Sequence, residues 1–480
     1  MRIIILLICL SPVICFSTPE YRSIILRTKA PEGTVNPCAV IMNNAIRMAK
    51  EGQLKRSFAR KDWQDYGLFF HWAVWAYLSG DSDFQGDKEL LKMIRVWLDR
   101  AFVRLSTKPA KLTGKKADAW QPNRISSWNF QYYSIPLLEI SQDKEAVAVI
   151  GQERLDKLKS IIAENMKSYT PEVMADQLKR HGNYINMLYH PFPMYLSYYL
   201  LFNNKDALEF CEKTNLHMLR QQLPNGAYPY RREVYNDKKH RESDTMYYHA
   251  VINRGLYLLW WYTGSKSEEK ILKNSVPFYP LIMEPPYHFS SGADIWWKDQ
   301  WRTFWSQHIA MAAVVAGDGE NAAIARRMGR DRKSLDYFDA VVGAHAFRLM
   351  AEKKIKDIPS RNNYIVKDPD IRGIRTRWGN WSSIFSAGSY GFTRTSAMLA
   401  NGKKFDALHL ARPVFRARQY ARKSYKIEPG VFDTMGRSGA EFSSVIKGKV
   451  GAVGISYHQA LTSKTWRPEQ DQSPWRSDEL

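Results

Sequence analysis

From residue 44 to residue 353 apolar residues recur every three or four positions in run after run, and each run stops at a turn signal. In residues 66–78 the periodic positions are Phe69, Trp72, Ala73, Ala76 and Tyr77. Ser79-Gly80-Asp81 then ends the helix before another starts near Lys88. The pattern repeats with irregular length at 134–140, 153–166, 194–202, 206–222, 250–262, 268–276, 304–316 and 335–353. Roughly six helical hairpins result, and each must bury its apolar face against a neighbour. This predicts a mainly α chain folded as an α/α toroid or incomplete barrel, with a plain α-solenoid as the alternative.

The two ends of the chain read differently. Residues 1–17 hold one arginine, a long apolar stretch and a small residue at Ser17, the pattern of a secretory signal peptide, which predicts a periplasmic or secreted protein. Residues 18–40 carry Pro19, Pro31 and Pro37 and predict an irregular lead-in. Beyond residue 360 the helical period is lost, and glycines 373, 379, 388, 391 and 402 alternate with Trp378, Trp381, Phe385, Tyr390 and Phe392. The toroid is therefore expected over 18–359, and a smaller irregular or β-containing region over 360–480. No stretch after the leader is apolar enough to span a bilayer. Cys38 and Cys211 are the cysteines left after the leader, and they form either a pair or two buried thiols. Without a CxxC or a His-rich cluster, neither a structural zinc nor any other cofactor is expected.

Charge narrows the function classes. Lys plus Arg number 70 against 48 Asp plus Glu, a formal net charge of +22, which favours a polyanionic partner. For an exported chain with 16 Trp and 26 Tyr, an acidic polysaccharide fits better than nucleic acid, because aromatic faces stack on sugar rings and no nucleic-acid module is present.

Residues 221–261 concentrate the chemistry. Asn225-Gly226 and Pro229 break the chain, Arg231, Arg232, Lys238, Lys239 and Arg241 add positive charge, and Tyr247-Tyr248-His249 open a long apolar helix. The order Asn225-Gly226, Pro229, Glu233, Arg241 and, seven residues on, Tyr248 followed by His249 resembles the alginate lyase family of polysaccharide lyases. The resemblance covers roughly residues 179–261, and the remaining helices match only by type. It implies an α/α toroid, no obligatory metal, and β-elimination of a uronate polymer, with Arg241 and Tyr248 in the active site. That family also carries an Asn-Asn-His signature on the preceding helix. Here Asn186 takes the asparagine place and Met187 falls on the histidine, so either His181 or His190 substitutes through a shifted helix start, or elimination runs on tyrosine alone, or the activity is lost.

Elimination removes the C5 proton beside a carboxylate, so donors must neutralise that carboxylate, and a base and an acid must follow. Arg241 with Asn186 or Asn183 suits the first task. Tyr248 suits the second, with His181, His190 or His249 as alternative bases. Arg231, Trp128 and Trp297 are candidate substrate contacts. Two other readings stay open: a glycoside hydrolase on the same toroid, which needs two facing carboxylates, and a noncatalytic protein that holds anionic polysaccharide.

Overall fold

The computed structural model describes residues 21–52, 64–105, 125, 129–167, 173, 176, 185–229, 246–284, 288–289, 306–331, 335–368, 373–386, 392–398, 404–410, 441–447 and 450–456. Its helices are α1 (Pro37–Lys50), α2 (Gln64–Leu78), α3 (Lys88–Arg104), α4 (Gln131–Ile140), α5 (Lys144–Ile150), α6 (Gln152–Met166), α7 (Ile185–Tyr189), α8 (Phe192–Phe202), α9 (Lys205–Gln221), α10 (Met246–Thr263), α11 (Lys266–Ser275), α12 (Phe278–Ile282), α13 (Ser306–Ala316), α14 (Gly319–Gly329) and α15 (Ala340–Glu352). None of them is long and apolar enough to cross a membrane.

The helices divide by how they are buried. α2, α4, α8, α10, α13 and α15 are apolar almost all round and nearly wholly buried, which suits an inner position. α1, α3, α6, α9, α11 and α14 each bury a single stripe, as α9 does with Ala207, Phe210, Cys211, Thr214 and Met218, and so form the outer layer. Each inner helix packs on the next, α2 on α4, α4 on α8, α8 on α10, α10 on α13 and α13 on α15. The circle is completed by α15, which packs on α2 and takes α1 as its outer partner. The expected α/α toroid is therefore present, and its first and last helices meet. Because the chain leaves each inner helix and returns through an outer one, all the inner helices run in one direction and the ring has an N-terminal and a C-terminal mouth.

The lead-in closes one of them. Residues 21–29 cross the C-terminal ends of the inner helices: Tyr21 Oη donates to Leu138 O (3.1 Å), Ile24 N to Glu139 Oε1 (3.1 Å) and Trp261 Nε1 to Ser23 O (3.1 Å). Gly80 N donates to Leu26 O (2.9 Å), and the buried Arg348 donates to Thr28 O (3.0 Å) and Lys29 O (2.7 Å). Gly80 has to be glycine here, since a Cβ would lie 2.0 Å from Thr28 O. The N-terminal mouth lies at the other end.

After α15 the chain forms an antiparallel meander of five strands in sequence order, β3 (Asn363–Asp368), β4 (Gly373–Trp378), β5 (Trp381–Ser386), β6 (Phe392–Met398) and β7 (Lys404–Leu410). Two short pairs accompany it: β1 (Met283–Glu284) with β2 (His288–Phe289), and β8 (Glu441–Lys447) with β9 (Val450–Ser456). The meander docks on outer-to-inner connections of the ring. Tyr364 Oη donates to Leu281 O (3.1 Å), Arg377 Nη1 to Met283 O (3.0 Å) and Asn225 Nδ2 to Asp368 Oδ1 (3.2 Å), while Arg375 is buried against Asp368 (2.6 Å). Cys38 and Cys211 are both free and buried, which decides between the two alternatives the sequence left open.

Candidate active site at the N-terminal mouth

Polar side chains interrupt the inner helices in their N-terminal halves or middles, and the toroid brings them together. Arg254 comes from α10, His308 from the first turn of α13, and Asp339 from the residue before α15. Arg254 Nη1 donates to Asp339 Oδ1 (3.2 Å) and His308 Nε2 meets Asp339 Oδ2 (2.8 Å), with all three residues at most 5% exposed. Burial alone would raise the Asp339 carboxyl. The Arg254 guanidinium, then His308, outweigh it and hold the group below the usual carboxylate range. Burial lowers the His308 pKa more than Asp339 raises it, so the ring is neutral and its Nε2–H is the donor to the ionised Asp339.

Around this centre lie His71 of α2, Tyr132 of α4 and His190, which follows α7. His71 is lowered to about 3 by burial, opposed by the charge of Asp339. Tyr132 is raised well above 10 by burial and then by Asp339. His190 is lowered by burial and then by Arg254, which leaves a neutral imidazole within the field of the guanidinium.

One feature of Arg254 matters most for chemistry. Its Nη1 is used by Asp339, while Nε and Nη2 have no hydrogen-bond partner among the described residues. Those two N–H groups form the side-on edge of a guanidinium, the pair that takes a carboxylate bidentately. A buried guanidinium with its Nε and Nη2 donors unfilled is costly unless an anion completes it.

The loop before α15 carries further groups. Gln307 grips the peptide of Asp336 from both sides, its Nε2 donating to Asp336 O (2.7 Å) and its Oε1 accepting from Asp336 N (3.2 Å). Next come Tyr337 and Phe338, 49% and 46% exposed, whose rings lie 6.4 Å from Trp72 and 6.3 Å from Tyr132. An exposed aromatic pair beside a buried charged cluster is the surface on which a sugar ring can stack.

His308, Asp336 and Asp339 each offer an atom within 4.8 Å of the others, the spacing of a metal site. The neighbours do not fit one. Arg254 already supplies the positive charge to Asp339, and a divalent ion there would lie against a guanidinium.

Of the residues singled out from sequence, Asn186 is buried on α7 and its Oδ1 has no partner among the described residues. His190 joins the Arg254 cluster. Tyr248 is half-buried in the first turn of α10. His249 is fully buried: its Nε2 accepts from Tyr228 N (3.2 Å), its ring stacks 5.1 Å from Phe278, and burial lowers it to about 3. That is a packing role for a neutral ring. Arg241, His181, Asn183, Arg231, Trp128 and Trp297 lie outside the described residues. Glu233, Asp237, Asp244 and Asp294, carboxylates that a hydrolase on this toroid could use, lie outside them too. Sequence reading passed over Arg254, His308, Asp336 and Asp339. A signal for two of them was present, because each is a charged or titratable residue within an apolar helical run.

No family model matches the chain, and no curated protein matches it. A solved structure described as a polysaccharide lyase aligns at 13% identity and TM-score 0.37, over 66% of this chain and 96% of that one. A likeness at that level carries no weight for the activity.

Proposed function

We propose that this chain is an exported lyase that cleaves a uronate-containing polysaccharide by β-elimination. The observation that carries the reading is the side-on edge of Arg254, buried at the N-terminal mouth with its Nε and Nη2 unfilled among the described residues. A uronate carboxylate fits that edge, and the interaction tightens as charge develops on the carboxylate once the C5 proton leaves. The amide of Asn186 is the second candidate donor. The base is His190, kept neutral by burial and by Arg254, or Tyr248, half-buried where α10 begins. Tyr337 and Phe338 offer the stacking face, and the net charge of +22 favours a polyanion.

A hydrolase needs a second ionised carboxylate free to activate water across the groove. Asp339 is ionised but buried and tied to Arg254 and His308, which disfavours that reading. The deciding assay mixes the protein with alginate, polyglucuronate and glycosaminoglycans in parallel and follows the ultraviolet absorbance of the conjugated uronate. A rise with one polymer supports the lyase. New reducing ends without absorbance indicate a hydrolase, and salt-sensitive binding without either indicates a noncatalytic binder.

A further inference from the structure

Elimination needs an acid for the departing oxygen as well as a base, and the cluster around Arg254 contains a carboxyl placed for it. We infer that Asp336 is the proton donor to the leaving glycosidic oxygen. This rests on the lyase reading above and adds to it a residue that the resemblance does not supply.

Three observations of geometry support the assignment. Asp336 is partly open, whereas Asp339, three residues on, is 2% exposed. Its backbone C=O and N–H are both bonded to the buried Gln307, and Oδ1 accepts from Phe338 N (2.9 Å), which orients the carboxyl. It also adjoins the exposed Tyr337 and Phe338, where a sugar would stack.

The charged and titratable groups facing it are Asp339 on its own loop, Arg254 of α10, His308 of α13, Tyr132 of α4 and Cys38 of α1. Asp339 carries the negative charge of the pair because it holds Arg254 and His308. Burial and that adjacent charge both push the proton onto Asp336, while the hydrogen bond from Phe338 N and then Arg254 oppose them more weakly. In the step itself the base takes the C5 proton and the C4–O bond breaks. The electron pair of that bond goes to the departing oxygen, which takes the Asp336 proton, and C4=C5 forms. Solvent then reprotonates Asp336.

The test uses the isosteric Asp336→Asn variant, which keeps an acceptor for Phe338 N, and two substrates: the polymer that the wild type eliminates, and a uronate carrying dinitrophenolate at C4. Dinitrophenolate leaves without a proton. The variant should lose about 10²- to 10⁴-fold in kcat on the polymer, the usual worth of a positioned acid, and stay near wild type on the activated uronate. It should also lose the alkaline limb of the wild-type pH profile. Equal losses on both substrates, or an unchanged alkaline limb, would overturn the assignment and leave the lyase standing. No elimination of either substrate by the wild type would overturn both.

Discussion

An arginine in the middle of an apolar helix survives only where its charge is met, and Asp339 meets that of Arg254 while leaving the side-on edge unfilled among the described residues. The same cluster sets the expected pH dependence. His190 has its pKa lowered from that of an ordinary histidine, so as the base it is already deprotonated at neutral pH, and rate should fall only on acidification well below ~6.5. Asp336 is raised, so as the acid it is lost on the alkaline side, above the usual carboxylate range. If Tyr248 were the base, the rising limb would instead lie toward the phenol range near ~10, leaving little overlap with the protonated Asp336. Comparing the pH profiles of Tyr248→Phe and His190→Gln separates the two: the variant that loses elimination while keeping its fold identifies the base. At this scale the sequence was only partly legible. Asn186, His190 and Tyr248 were singled out through a motif. Arg254 and His308 stand in inner helices as polar interruptions, a signal that acquires meaning only once several helices are seen to place theirs at one mouth. Asp336 and Asp339 fell inside a run read as helix over 335–353, whereas α15 begins at Ala340 and the preceding residues form the loop that carries both carboxyls.

Elements fix these groups through close packing. Where α1, α13 and α15 meet, Gly343 allows contact so close that a Cβ would lie 2.6 Å from Gln307 Cβ and 2.8 Å from Cys38 Sγ. Gly343→Ala should therefore cost about 1–3 kcal/mol in thermal unfolding. It should also slow polymer cleavage, because the displaced Gln307 is what holds Asp336. A variant as stable and as fast as wild type would show that the α13–α15 contact is looser than described. Helix existence was readable from apolar period, since the expected run 206–222 corresponds to α9. The division into inner and outer helices was less so: Tyr248 and His249 looked like a loop-to-helix junction, and burial alone separates the half-buried tyrosine from the histidine packed between Tyr228 and Phe278.

For the molecule as a whole, the ring closes through α1 and α15 and is sealed at its C-terminal mouth by residues 21–29. Arg348 ties the seal, donating to Thr28, Lys29, Asp81 and Glu352. Arg348→Met leaves Asp81 and the strap carbonyls without their donor and should cost about 3–5 kcal/mol. Because the candidate site is at the opposite mouth, its KM should hardly move; a large change in KM with an unchanged melting temperature would contradict this arrangement. The toroid followed from hairpin repetition, and the glycine- and aromatic-rich tail from its loss of helical period. The strap did not, because a proline-bearing lead-in carries no sign of which surface it will cover.

On the lyase reading, Arg254 receives the substrate carboxylate. The most direct measurement compares elimination of a uronate polymer and of its methyl ester by wild type and by Arg254→Lys, a variant that keeps a charge for Asp339 but removes the paired Nε and Nη2 donors. Wild type should prefer the free acid by about 10²-fold or more, and Arg254→Lys should lose most of that preference along with most of its rate on the acid. A variant that slows equally on acid and ester, or that keeps the full preference for the acid, would contradict it.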